Sequence, residues 1–322
     1  MPDPGPPAGG HGRTPTYADP VPDSRRGLAY GVAAYGLWGL FPLYWPLLEP
    51  AGALEILAHR VLWSLVAVVV VVLVLRRTDA VRAVLADRRS RLLLLGAAAV
   101  ITLNWGGYIW GVNNGRVVET SLGYFINPLV TVLMGVALLG ERLRRLQWAA
   151  VALAAVAVLV LTVDYGRPPW IALLLAFSFA TYGLSKKKAG VDAVESLTVE
   201  TMFIGPFAAA YIGWLAWQGT GEFGHHGAAH AWMLTTAGVV TIIPLLCFGA
   251  AAIRVSMVTI GLLQYIAPIL QFLLGVVWYD EDMPASRWTG FVLVWIALAV
   301  FTYEAATHRR RQLRLAAESA AL

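Results

Sequence analysis

Residues 119–148 read ETSLGYFINPLVTVLMGVALLGERLRRLQW. The first two-thirds is apolar enough to span a bilayer, yet it carries Tyr124, Asn127 and Pro128 together. It stops at Gly140-Glu141, followed by Arg142, Arg144 and Arg145. The pattern returns 140 residues later as Thr259–Trp288, placing Pro128 on Pro268, Gly135 on Gly275, Glu141 on Glu281 and Trp148 on Trp288. Without a gap, residues 97–160 match residues 237–300 at 14 of 64 positions. An apolar composition does not by itself supply matched Pro, Glu and Trp, so the chain reads as one membrane unit used twice.

Composition agrees. The 322 residues are 58% hydrophobic and 13% charged, where soluble chains carry about 25% charged residues. The apolar residues come in runs of the length that a hydrocarbon core about 30 Å thick demands of a helix. The short alternating segments of a β-barrel are missing from the sequence. The predicted fold class is an all-α polytopic membrane protein of ten transmembrane helices, arranged as two inverted five-helix repeats. The spans fall near 27–47, 54–75, 92–113, 118–139, 146–163, 168–185, 197–217, 231–252, 259–279 and 287–304. Residues 27–163 form the first repeat and 168–304 the second. The Pro- and Gly-rich residues 1–26 have no apolar core of a signal peptide and are expected to be a disordered tail. Residues 305–322 are expected to be a basic cytoplasmic tail. Cys247 stands alone, so no intramolecular disulfide forms.

Basic residues set the orientation, because Lys and Arg beside short loops stay on the cytoplasmic side. One set of loops holds Arg25/Arg26, Arg76 to Arg91, Arg142 to Arg145, Lys186 to Lys188, Arg254 and Arg309 to Arg314; the other holds Arg116, Arg167 and Arg287. Both termini are therefore predicted inside. The net charge of +5 is explained as topology anchors beside an anionic leaflet, with no nucleic acid needed. Five spans is an odd number, so successive copies cross in opposite directions, as in many secondary transporters with a site near the midplane.

Polar groups at bilayer depth are costly unless they face a cavity or another helix. In the fourth span Tyr124, Asn127/Pro128 and Thr131 share a stripe; in the ninth, Gln264, Pro268 and Gln271 do, with Tyr265 beside them. Pro128 and Pro268 each remove a backbone donor and free a carbonyl one turn back. In the third span Asn104, Tyr108 and the glycines at 107, 111 and 115 lie on one face, so close packing brings both polar residues inward. Trp105 and Trp110 fit either a flat or cationic ligand or a lipid-facing belt. In the first span Trp38, Gly39, Pro42 and Tyr44 combine flexibility with aromatic surface. His59 and Arg60 lie one to two turns into the second span and are the candidates for coupling. Arg60 is expected to reach the interface or pair with Glu55 or Glu49. No carboxylate is expected mid-span. His225, His226 and His230 are expected in a solvated loop, where a metal site is the minor reading. Candidate substrate contacts are thus Trp38, Asn104, Trp105, Tyr108, Tyr124, Asn127, Gln264, Tyr265 and Gln271, with Pro128, Pro268 and Gly39 as kink or gating positions.

The sequence has no H-E-x-x-H, G-x-S-x-G, P-loop or metal-binding carboxylate cluster, so neither catalysis nor ATP-driven pumping is expected, and no cofactor or metal. The expected partners are a small-molecule substrate and the lipid bilayer, with a homodimer left open.

WGLFPLYW (38–45), EILAHRVLWS (55–64), LNWGGYIWGVN (103–113), ETSLGYFINPL (119–129), LGERLRRLQW (139–148) and LQYIAPILQFLLG (263–275) resemble the RarD-type, chloramphenicol-sensitive branch of the EamA transporters, in the drug/metabolite transporter superfamily. The resemblance covers residues 27–304. It implies ten helices as two inverted repeats, an inner-membrane location and export of small metabolites or drugs. It also implies a central cavity between helices one, three, four, six, eight and nine, and it names no substrate.

Overall fold

The computed structural model describes residues 24–139, 142–252, 254, 255 and 257–320. Glu141 and most of the N-terminal tail lie outside them. Among the described residues every regular element is helical. The chain opens with α1 (Ser24–Gly39), which restarts after Leu40 as α2 (Phe41–Tyr44) and a 3-10 turn (Trp45–Leu48). Pro42 and Pro46 explain the break: each sits in the first turn of a new segment, where a missing N–H leaves no bond unmade. Next come α3 (Ala53–Val74), α4 (Thr78–Ala86), α5 (Arg88–Asn113), α6 (Val117–Leu139), α7 (Arg145–Tyr165), α8 (Trp170–Ala189), α9 (Ala193–Gln218) and α10 (Gly227–Ala252). The last are α11 (Met257–Leu263), α12 (Ile266–Leu273), a π-turn (Leu274–Trp278) and α13 (Ala285–Ala320).

Among the described residues, eight stretches are long and apolar enough to cross a membrane, against the ten predicted. The broken first span, with 16 residues in α1, and α8, whose last turn is Lys186, Lys187 and Lys188, fall outside that set. Three further details differ from expectation. The connection at 76–91 contains α4, whose Val81, Val84 and Leu85, spaced for one helix face, pack with Val72, Leu94 and Val199. The ninth span is divided at Gln264-Tyr265, before its proline, which leaves Pro268 in the first turn of α12, where it costs little. The fourth runs unbroken through Pro128. Finally, α13 does not end near 304 but continues to Ala320 through residues rich in the helix formers Ala, Arg, Gln and Leu.

Two pairs of helices related by the 140-residue offset pack closely against each other, α3 with α9 and α7 with α13. The α7–α13 pair is clasped at both ends. Arg287, opening α13, donates to Asp164, closing α7, at 2.9 Å, and Ser286 also donates to Asp164. At the other end Arg144, just before α7, donates to Glu304. The two helices therefore run antiparallel, and both clamp carboxylates, Asp164 and Glu304, occupy equivalent positions in the repeat. The α3–α9 pair repeats the device at Glu55 and Glu195, also 140 apart. Glu55 accepts from the backbone of Glu222 (2.8 Å) and Phe223 (3.3 Å), in the turn after α9; Glu195 accepts from Arg77 (2.8 Å), in the turn after α3. Two large cores dominate the apolar interior, beside two smaller clusters. One core joins α6, α7, α8 and α13; the other joins the α1–α2 break, α3, α5, α8 and α10.

Candidate functional site

The second core holds the functional candidate, and its centre is Arg60. This residue lies about 10 Å along α3 from its start at 1.5 Å per residue, and it is 3% exposed. Its guanidinium carbon stands 4.1 Å from the Trp105 ring, 4.9 Å from Trp45 and 5.7 Å from Phe41. The expected route to the interface or to a carboxylate is not taken. Glu55 is engaged with the Glu222 and Phe223 amides, and Arg60 turns inward onto aromatic faces, a cation–π environment that partly replaces its hydration. Tyr44, Tyr108 and Tyr124 lie within electrostatic reach of its charge.

Glycines bring the surrounding helices together. A Cβ on Gly107 would meet Leu174 at 2.6 Å, and one on Gly111 would meet Thr120 at 2.6 Å, so α5 sits directly on α8 and α6. That contact buries Asn104 and Tyr108, as the stripe implied. Asn104 is spent on the scaffold: it donates to the Leu175 carbonyl (3.0 Å) and the Ser178 hydroxyl (2.9 Å), and its oxygen accepts from Tyr124 (3.4 Å). Tyr124 in turn meets Tyr108 edge-on at 5.7 Å.

The structure thus brings Arg60, Trp105, Tyr108 and Tyr124 into one cluster, with Trp38 at its margin. Trp38 packs on Tyr35 and Phe248, and its carbonyl accepts from Gln271 at 3.1 Å. Gly39 lets α1 touch α12 at Ala267 and Leu270. Asn127 keeps a buried oxygen with no partner among the described residues, and Gln264 is half-buried in the turn before α12. Tyr265 departs from expectation. It packs into the other core, where it shares a hydrogen bond with Thr302, because the break in the ninth span turns it toward α13. Trp110 lies against Trp170 (5.2 Å) and Arg116 (5.1 Å), away from Arg60.

His59 is buried beneath Phe223, stacked at 4.8 Å, and its Nδ1 accepts from the Trp63 indole at 3.2 Å. The neutral ring therefore carries its proton on Nε2, which has no partner among the described residues. His230 is not in a solvated loop. It is buried in the first turn of α10, with Nε2 donating to the Leu48 carbonyl at 2.9 Å. Among the described residues no group of three His, Cys, Asp or Glu side chains is placed to hold a metal ion.

Sequence reasoning passed over two features. Trp45 and Phe41 form walls of the Arg60 site, and their signal is the unusual cost of an arginine at that depth. Glu200, counted among the residues near span ends, lies as deep in α9 as Arg60 does in α3 and is 1% exposed. It accepts from Lys186 (2.9 Å), Ser196 (2.6 Å) and Tyr182 (3.1 Å). Extending the 140-residue offset to α3 and α9 would have paired it with Arg60. Glu200 and Trp105 also line a small cavity of about 10 Å³, room for about one water.

A bundle of apolar helices around a buried polar cluster defines a multi-pass membrane protein. The EamA-like transporter family matches residues 25–163 and 168–303, and the chain belongs to that family of membrane transporters. It is similar to "Protein RarD" of Streptomyces exfoliatus, 57% identical over 92% of this chain and 94% of that one. It is also similar to "Protein RarD" of Escherichia coli strain K12, 43% identical over 89% and 97% respectively. A solved crystal structure superposes with a TM-score of 0.57 at 18% identity, covering 87% of this chain and 98% of the other, which shows a shared fold.

Proposed function

We propose that this protein is a secondary-active exporter of a small organic molecule, working by alternating access between two inverted five-helix repeats. Ten spans then cross the inner membrane, α1 with its restart and α8 completing the eight apolar ones. Both termini are cytoplasmic, as the basic loops favour. The substrate site lies between the repeats, with Trp38, Trp105, Tyr108 and Tyr124 as its walls. Asn127, Gln264 and Gln271 lie at its edge, and Tyr265 supports the fold instead. Pro128, Pro268 and Gly39 give the helices their freedom to rock. The observation that carries this reading is a cluster of buried polar groups with unmade hydrogen bonds inside a membrane core. A scaffold has no need of them, and each one costs stability.

The test is counterflow in proteoliposomes, with labelled metabolites screened with and without a pH gradient. Exchange above protein-free liposomes is expected for at least one compound, and Asn127→Leu should abolish it while leaving insertion and yield unchanged. An Asn127→Leu protein with wild-type flux would remove Asn127 from the site.

A further inference from the structure

We propose that Arg60 anchors the negative end of the transported molecule, and that the substrate class is a small organic monoanion: a carboxylate on a flat apolar body. The inference rests on the transporter reading, and it adds the chemistry that reading leaves open. Among the described residues, Arg60 Nε and Nη1 are buried with no hydrogen-bond partner, and so are the Trp45 indole N–H and the Tyr108 hydroxyl. Around a guanidinium, this cluster is rich in donors and poor in acceptors. A carboxylate supplies the missing acceptors, because two oxygens match the fork of a guanidinium and accept further donors.

The repeat sharpens the point. Glu200 is equivalent to Arg60 by the 140-residue offset, and the protein gives that carboxylate three partners of its own. Among the described residues Arg60 receives aromatic faces and no ion pair. A buried ion without its counter-ion is among the most costly arrangements in an apolar interior, so its partner comes from outside. One cation calls for one negative charge: a dianion such as inorganic phosphate would leave a net charge among Phe41, Trp45 and Trp105. The same three rings favour a planar apolar body beside the carboxylate.

The experiment uses the full chain, purified in detergent, with radiolabelled benzoate in a scintillation proximity assay. Benzoate and indole-3-acetate are the anionic competitors; benzamide and indole-3-acetamide are their neutral counterparts. The anions should compete and the amides should not. Arg60→Gln should weaken benzoate by at least about tenfold, the loss of a hydrogen bond to a charged group. Arg60→Lys should fall between, keeping the charge without the fork. Tyr108→Phe removes only a hydroxyl and should weaken binding severalfold, so the proposal stays decidable even if Arg60→Gln does not fold. Amides that compete as well as the acids, no benzoate binding at all, or wild-type binding in Tyr108→Phe and Arg60→Gln would each overturn it. Benzoate binding without counterflow would retire the transporter reading and leave the site standing. Counterflow of the neutral amides, unchanged in Arg60→Gln, would keep the transporter reading and retire the site.

Discussion

Asp164 and Glu304 stand at equivalent repeat positions and hold opposite ends of a single helix pair, Asp164 accepting from Arg287 and Glu304 from Arg144. The two clamps are not equally sheltered. Arg287 is 17% exposed, whereas Arg144 is 43% exposed and screened by solvent. Asp164→Asn is therefore expected to cost about 1.5–3 kcal/mol, the range for hydrogen bonds to charged groups, and Glu304→Gln less. Thermal unfolding in detergent, monitored by size-exclusion chromatography, checks the order. Equal losses would show that exposure does not govern the clamps.

A second prediction concerns pH. Glu281 lies just past the ninth span, and its carboxylate accepts from the Val117 and Val118 amides that open α6. Burial nonetheless outweighs those bonds and lifts its pKa to about 7. The folded protein thus holds this proton more tightly than the unfolded chain, whose carboxyl titrates near its ordinary 4.5. Its contribution is fully present below the unfolded value and is lost as pH rises toward 7. The unfolding midpoint should fall between about pH 5 and 7, and Glu281→Gln should flatten that slope. A slope unchanged by the substitution would assign it elsewhere.

Two glycines make opposite predictions. A Cβ on Gly238 of α10 would fall 2.5 Å from the Ser64 backbone nitrogen and closer still to Trp63. The α3–α10 crossing would have to open, so Gly238→Ala should destabilise by about 1–3 kcal/mol or more. Among the described residues Gly36 of α1 has nothing within 4 Å of such a carbon. Gly36→Ala should be neutral or stabilising by up to about 1 kcal/mol through helix propensity. Measuring both by thermal unfolding separates packing from propensity.

The Glu200 cluster yields a fourth. Glu200→Gln would leave Lys186 without its counter-ion, a loss of about 3–5 kcal/mol for a buried pair. Adding Lys186→Met should restore part of the yield in the membrane, because the orphaned charge is then gone. If the double variant accumulates no better than the single one, the penalty lies in lost hydrogen bonds and not in the charge.

Much of the fold is legible in the sequence, and the physics says why. Span length and composition follow from bilayer thickness, and the offset of 140 exposes the pairing of Pro128 with Pro268. The stripe of Asn104 and Tyr108 beside Gly107 and Gly111 points correctly inward because helix periodicity is local. Tyr265, expected beside the stripe of Gln264, Pro268 and Gln271, packs with the α13 core at the break that precedes α12, and no local rule places that break at Gln264-Tyr265. Arg60 does not snorkel, since its environment is made by Trp45 and Trp105 from other segments of the chain. His230 reads as loop because a single histidine after Gly227 carries no helix signal of its own.

The doubly clasped pair α7–α13 has a mechanical consequence. Sliding one of these helices past the other by a turn, about 5.4 Å, would break both clamps together, whereas moving the two as one rigid body breaks neither. If the protein alternates as proposed, this pair is the fulcrum, and the excursion grows with distance from it. Crosslinking α7 to α13 would then leave export intact, while a tether from α1 to α12 would stall it.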